Sequence, residues 1–300
     1  MNNCTTTVLR CESYIDNYAK SDYNGPIVSK ANTFLNKYRY STILLRQLVI
    51  TDFKLRYKGS ALGYFWTLLR PLALFAVLYV VFVNFLKFGE GVPHFAVYLL
   101  LGVVLWNYFV EVTMNGLTAV VNRGDLMRKL SFPRYTIVLA GSFSALINVS
   151  INLLVVLCFA LFDGVDFGWS ALLMPLLLFE LFVFGLAVAF FLSALFVRFR
   201  DINYVWEVVL QAGFYGTPII YPISVVVGIA PAAAKLLMLS PVAQIIQDSR
   251  WALISPQTET IASIYGNSFM YVVPLGIVAL ILAIGTVYFK KRSPYFAEEV

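Results

Sequence analysis

The chain has 300 residues, 60% of them hydrophobic and 13% charged, with a mean hydropathy of +0.79 and a net charge of +6. A soluble domain carries about 25% charged residues, so this composition excludes an ordinary water-soluble enzyme and describes a polytopic membrane protein. A basic balance also suits a nucleic-acid binder, but here the basic residues are distributed as membrane topology would distribute them.

The first stretch, Met1–Asn36, is polar and lacks the apolar core of a secretory signal. The N-terminus is therefore expected in the cytosol, with residues 1–33 as a cytosolic tail. The three cysteines, Cys4, Cys11 and Cys158, make no disulfide framework and fit a reducing compartment. From Phe34 to Lys58 the pattern turns helical, with Leu44, Leu48, Thr51 and Leu55 on one side at the helical period. An interfacial amphipathic helix within 34–64 is expected, its Lys54 and Lys58 on one face and Arg56 pointing away. The alternative is a cytosolic helix with a solvated charged face.

Six transmembrane helices are expected across 65–292. Span one covers Phe65–Phe85, with Arg70 and Pro71 in its first turns, where proline is tolerated and arginine snorkels to the interface. Span two covers Phe95–Val121 and span three Arg134–Phe162, separated by the basic polar island Asn122–Arg134. Span four, Ser170–Val197, is long enough to tilt or protrude. After a second polar island, Arg198–Asn203, span five runs over Tyr204–Ile220. The region 223–267 is apolar but interrupted by Pro231 and Pro241, with Lys235 between them. Span six, Phe269–Phe289, ends in Lys290, Lys291 and Arg292, and 293–300 forms the C-terminus.

Charge sets the count. With six spans and both termini inside, all of the 22 Lys and Arg except Lys87, Lys235 and Arg250 fall on the cytosolic side or at its edge. A seventh span would carry Lys290–Arg292 outside. Residues 223–267 are therefore expected to form broken, re-entrant outer helices, which require shielding by protein or a wet cavity.

Three polar stripes run along the spans. Asn107, Glu111, Asn115, Thr118 and Asn122 share a face in span two; Gly141, Ser144, Asn148 and Asn152 do so in span three; Tyr204, Glu207, Gln211 and Tyr215 do so in span five. Such stripes avoid lipid, so they face either other helices through interhelical hydrogen bonds or a water-filled path. Glu111, Glu180 and Glu207 are candidates for a proton relay or for structural carboxylates at helix contacts. Tyr108, Tyr215 and Tyr221 are candidates for stacking contacts with a cargo, whereas most other aromatics serve packing and interface belts.

No G-x-x-x-x-G-K-[ST] motif occurs, so the chain has no phosphate loop of its own. The single histidine, His94, excludes His-based triads and His-rich metal sites, and no Cys/His pair has zinc spacing. No catalytic constellation and no metal site are expected.

Five blocks in order carry a resemblance: ITDFKLRYKGSALGYFWTLLRPL (Ile50–Leu72), LLGVVLWNYFVEVTMNG (Leu100–Gly116), NRGDLMRKLSFPR (Asn122–Arg134), VRFRDINYVWEVVLQAGFYGTPIIYP (Val197–Pro222) and LSPVAQIIQDSRWALI (Leu239–Ile254). The set resembles the permease subunit of type 2 ABC exporters for bacterial surface polysaccharides, with the O-antigen exporter permeases closest and capsule and teichoic-acid permeases as relatives. The resemblance implies a homodimer in the bacterial cytoplasmic (inner) membrane, paired with two copies of a separate ABC ATPase that holds ATP and Mg, so that this chain carries no cofactor and is no enzyme. It implies as substrate a polyprenyl-pyrophosphate-linked polysaccharide threaded between protomers. Gly124, Asp125, Leu126, Met127, Arg128, Lys129, Leu130 and Phe132 would belong to an ATPase-coupling helix (123–132). Lys54, Arg56, Lys58 and Arg70 would lie where the lipid pyrophosphate enters, with Arg198, Arg200 and Asp201 at the inner mouth. Asn107, Tyr108, Glu111, Asn115, Glu207, Gln211, Tyr215 and Tyr221 would be the channel candidates. The partners implied are the ATPase, a second copy of the chain, the glycan and membrane lipids, with no nucleic acid. Two rival readings remain: an ion-coupled secondary transporter, which would require an inverted repeat that the sequence does not display, and a membrane enzyme such as a glycan transferase, which would require a convergent acid/base and metal site.

Overall fold

A computed structural model describes residues 41–52, 65–85, 91–129 and 132–299. The chain divides into two units, 1–44 and 45–300. Its described residues form helices, with no strand among them. Residues 41–52 are helical (α1). Then come α2 (Phe65–Tyr79) running into a π-helical turn (Val80–Phe85), α3 (Phe95–Ala119), the short α4 (Gly124–Lys129), α5 (Tyr135–Phe162), α6 (Met174–Arg198) and α7 (Ile202–Gly216). Four short helices follow: α8 (Ile223–Ile229), α9 (Pro231–Met238), α10 (Pro241–Leu253) and α11 (Ile261–Tyr265). The long α12 (Val272–Arg292) and a terminal turn, α13 (Phe296–Glu299), end the chain.

Among the described residues, four segments are long and apolar enough to cross a membrane: Phe95–Ala119, Tyr135–Phe162, Trp169–Arg198 and Ser268–Tyr295. The expected first span is a continuous helix over 65–85 through its π turn, with Leu68–Phe82 as its apolar stretch. The expected fifth span is shorter than the sequence suggests: α7 has 15 residues, about 22 Å of helix against a hydrocarbon core of about 30 Å. Thr217 leaves the helix with extended backbone, and Pro218 follows it. In 223–267 the breaks fall where proline dictates. α9 and α10 each begin on a proline, Pro231 and Pro241, whose missing N–H costs nothing at a helix start.

The central helix is α3. In its most apolar stretch 78% of residues are buried, against 22% for the most apolar stretch of Ser268–Tyr295, the segment of α12. A helix so largely apolar belongs inside a bundle, and α3 accordingly touches α2, α5, α6, α7 and α10. α6 makes the other long seam, against α12. Helices in lipid gain no hydrophobic advantage by touching one another, so close packing depends on small residues. At Gly285 of α12 an added Cβ would lie 2.5 Å from the Ala187 carbonyl oxygen of α6. Only glycine permits that approach. At the start of α3, His94 takes a left-handed conformation (φ 52°), and its Nδ1 lies 2.8 Å from Asp163 at the end of α5. The one histidine of the sequence thus ties two helix ends together.

Candidate functional site

Two surfaces are the candidates: the short helix between α3 and α5, and the outward face of α7. α3 stops at Ala119, a single 3-10 turn (Val121–Arg123) follows, and α4 occupies Gly124–Lys129. Of the helix expected over 123–132, the described helix covers Gly124–Lys129, and Phe132 has non-helical backbone. A helix of six residues is marginal by itself, and this one is held from behind. Gly124 and Met127, one turn apart, are buried, while Asp125 and Arg128 are exposed and Leu126 is half-buried. Phe132 is half-buried and packs against the main core, so much of its apolar surface is used inside the fold. Lys129 belongs to α4, and Leu130 lies outside the described residues. Immediately before α4, Arg123 forms an ion pair with Asp52 of α1. That bond links α1 to the island, a pairing the sequence does not advertise.

Lys54, Arg56 and Lys58 lie outside the described residues. Arg70 is exposed on α2. Arg198, Arg200 and Asp201 are exposed where α6 gives way to α7, with Arg198 over the Phe199 ring and Arg200 over the Phe196 ring, each at 5.3 Å. These side chains form a small cluster of cations laid on aromatic faces.

The three polar stripes divide into two kinds. Those of α3 and α5 meet one another: Asn148 Nδ2 donates to Glu111 at 2.6 Å, and Asn152 Nδ2 donates to the Asn148 carbonyl at 3.0 Å. Tyr108 is 2% exposed, Asn107, Glu111 and Asn115 are half-buried, and Gly141 lies against the Asn115 side chain. The stripe of α7 is the opposite. Tyr204 and Tyr215 are 69% and 61% exposed, and Glu207 and Gln211 are exposed beside them. Only Leu210 of this helix is buried. Asn203 Nδ2 donates to Glu207 at 2.8 Å, and Trp206 Nε1 donates to Thr113 of α3 at 3.1 Å, fixing the rotation of α7 against the bundle. The Tyr221 hydroxyl donates to the carbonyls of Tyr215 and Gly216, capping the end of α7. Glu180 of α6 stands beside Asp248 and Gln244 of α10. The Asp248 carboxyl accepts from Gln244 at 2.5 Å and from Tyr271 at 3.1 Å. Among the described residues no group of three His, Cys, Asp or Glu side chains could hold a metal ion.

Sequence reasoning missed the best-built polar site. Arg250, counted above as an outer-side charge, is fully buried. Its Nε donates to the Tyr98 carbonyl at 3.0 Å, Nη1 to Pro218 at 2.6 Å and Nη2 to Ile219 at 2.7 Å, and the guanidinium lies 3.6 Å from the centre of the Tyr98 ring. Three helices meet there: α3, α10 and the end of α7. The non-helical turn after α7 leaves carbonyls without helical partners, and the forked guanidinium supplies the donors. A Cβ on Gly102 would lie 2.3 Å from Arg250 Nη2. Gly102 and Arg250 are both visible in the sequence, but only their apposition reveals the site.

With this geometry established, similarity to known proteins can be read. The pattern of the ABC-2 type transporter family matches residues 43–254. The chain is 30% identical over 203 residues to an O-antigen export system permease protein RfbA of Myxococcus xanthus, covering 68% of this chain and 76% of that protein. It is 28% identical over 191 residues to a protein of the same name from Klebsiella pneumoniae, covering 62% of this chain and 72% of that one.

Proposed function

From the premise that the chain belongs to the ABC-2 type transporter membrane family, we propose that it is the permease subunit of an ATP-driven exporter carrying a polysaccharide across the bacterial cytoplasmic membrane. It is a transport subunit, and the family implies an ABC ATPase as partner. In this reading α2, α3, α5, α6, α7 and α12 are the six spans, both termini are cytosolic, and α8–α11 re-enter from the outer side. The cargo is a glycan on a polyprenyl pyrophosphate, of the O-antigen kind, and capsule or teichoic-acid glycans are the neighbouring possibilities within the family.

The observation that carries the proposal is the division of the polar stripes. A glycan needs hydroxyl partners and aromatic faces, and α7 turns Tyr204, Glu207, Gln211 and Tyr215 away from its own bundle. In lipid that face would be costly. A second copy of the chain with the same face opposed would convert it into a two-sided polar path, so the reading is a homodimer with α7 at the seam. Arg70, Arg198 and Arg200, with Lys54, Arg56 and Lys58, supply the positive charge at the inner side for a lipid pyrophosphate. A path open at rest would leak ions, so opening requires work delivered from outside the membrane, and α4 is the element to receive it.

The test is a double substitution on the outward side of α4, Leu126→Asp with Arg128→Glu. Neither side chain belongs to the core, so the chain should fold and insert normally. Reversing the central contacts of a docking surface costs about 2 kcal/mol or more, so glycan at the cell surface should fall by about thirtyfold or more while protein level holds. Full export in this variant would remove α4 from the coupling role.

A further inference from the structure

The C-terminal turn has a position that its sequence does not explain. α13, Phe296–Glu299, packs against α4 and against α6. Phe296 is 0% exposed. Its ring lies 5.3 Å from that of Phe289 in α12, and Phe289 lies 5.1 Å from Phe190 in α6. A ladder of three aromatic rings thus runs from α13, the element packed on α4, into the seam between α6 and α12. That seam is close: Gly285 of α12 meets the backbone of Ala187 of α6.

A helix of six residues pushed from outside would bend on its flanking turns unless something rigid stood behind it. Gly124 and Met127 are its buried side, and α13 is among the elements it packs against. From these contacts we infer that the C-terminal turn is a buttress for α4, with Phe296 as the positioning residue that delivers displacement of α4 to α6 and α12. Phe296 touches no cargo. It acts through α4, and the inference therefore rests on the coupling role proposed above. Because interiors are close-packed and transmit strain, loss of the ring would leave α4 free to yield without moving the bundle.

The experiment uses the full chain assembled with its cognate ATPase in liposomes, comparing wild type with Phe296→Ala and Phe296→Leu. Three quantities are read: assembly, ATP hydrolysis, and the lipid-linked glycan of the source cells translocated per ATP. Phe296→Ala should assemble and hydrolyse ATP, but translocate about two- to thirtyfold less per ATP, the range that a residue along a coupling route commands. Phe296→Leu, which refills most of the space, should restore the ratio. An unchanged ratio in Phe296→Ala would overturn the buttress. Equal loss of assembly and ratio in both variants would overturn it too, by showing a purely structural role. An Arg128→Cys variant, cross-linked to the ATPase, separates the two ideas. No cross-link to the ATPase refutes the coupling role itself; a cross-link with an unchanged Phe296→Ala ratio refutes only the buttress.

Discussion

Arg250 shows how a single residue can set the architecture around it. A buried guanidinium is normally matched by a carboxylate, but this one is satisfied by three main-chain carbonyls and a tyrosine face. Breaking a buried charged network by removing one partner costs about 3–5 kcal/mol. Arg250→Lys keeps the charge but not the fork, so it cannot serve three carbonyls on three sides. That variant is expected to lower the detergent melting temperature and the yield of folded protein sharply. Wild-type behaviour would mean that the clamp is dispensable. Gly102→Ala addresses the same site from the other side, because its Cβ would displace Nη2, and it should reproduce part of the loss. The Glu111–Asn148 pair is a milder case. Glu111→Gln retains a hydrogen bond to Asn148, so transport should persist in that variant if the glutamate is structural and vanish if it relays protons.

At the scale of elements, the long helices were readable, and so were the proline breaks among the short outer ones. Four apolar runs predicted α3, α5, α6 and α12 because a segment that must satisfy its backbone in lipid has only one solution. Pro231 and Pro241 predicted the breaks for the same local reason. The sequence could not reveal which polar stripe faces inward. The stripes of α3 and α7 are alike in composition and spacing, yet one is sealed against α5 and the other is exposed. That distinction depends on which helices become neighbours. The length of α7 was overestimated because Thr217–Ile220 is apolar, and hydropathy does not register that its carbonyls belong to Arg250. Phe132, assigned to the coupling helix through the resemblance, is in part packed against the core. Helix seams make their own prediction. Gly285→Leu forces side-chain atoms into the Ala187 backbone, and overpacking of this kind costs about 1–3 kcal/mol or more. It should separate α12 from α6, visible as faster proteolysis after Lys290–Arg292. Unchanged protease resistance would show that the seam can relax.

At the scale of the whole molecule, a closely packed part stands apart from a part whose polar groups face outward. α3, α6 and α12, with the Arg250 clamp, form a bundle with few exposed polar groups. α4 and α7 turn their unspent chemistry outward, one with charge and the other with hydroxyls, amides and aromatic rings. A permease that works as a dimer and is driven from outside needs such a division. A transporter sufficient in itself would instead line a path with its own helices and couple it to an ion. The most direct measurement is purification of the chain from its native membranes in mild detergent, with mass spectrometry of what remains associated. The account predicts a stoichiometric P-loop ATPase, two copies of this chain in the particle, and a lipid-linked glycan. A solitary chain, whose transport survives ATP depletion and collapses with an ionophore, would contradict it.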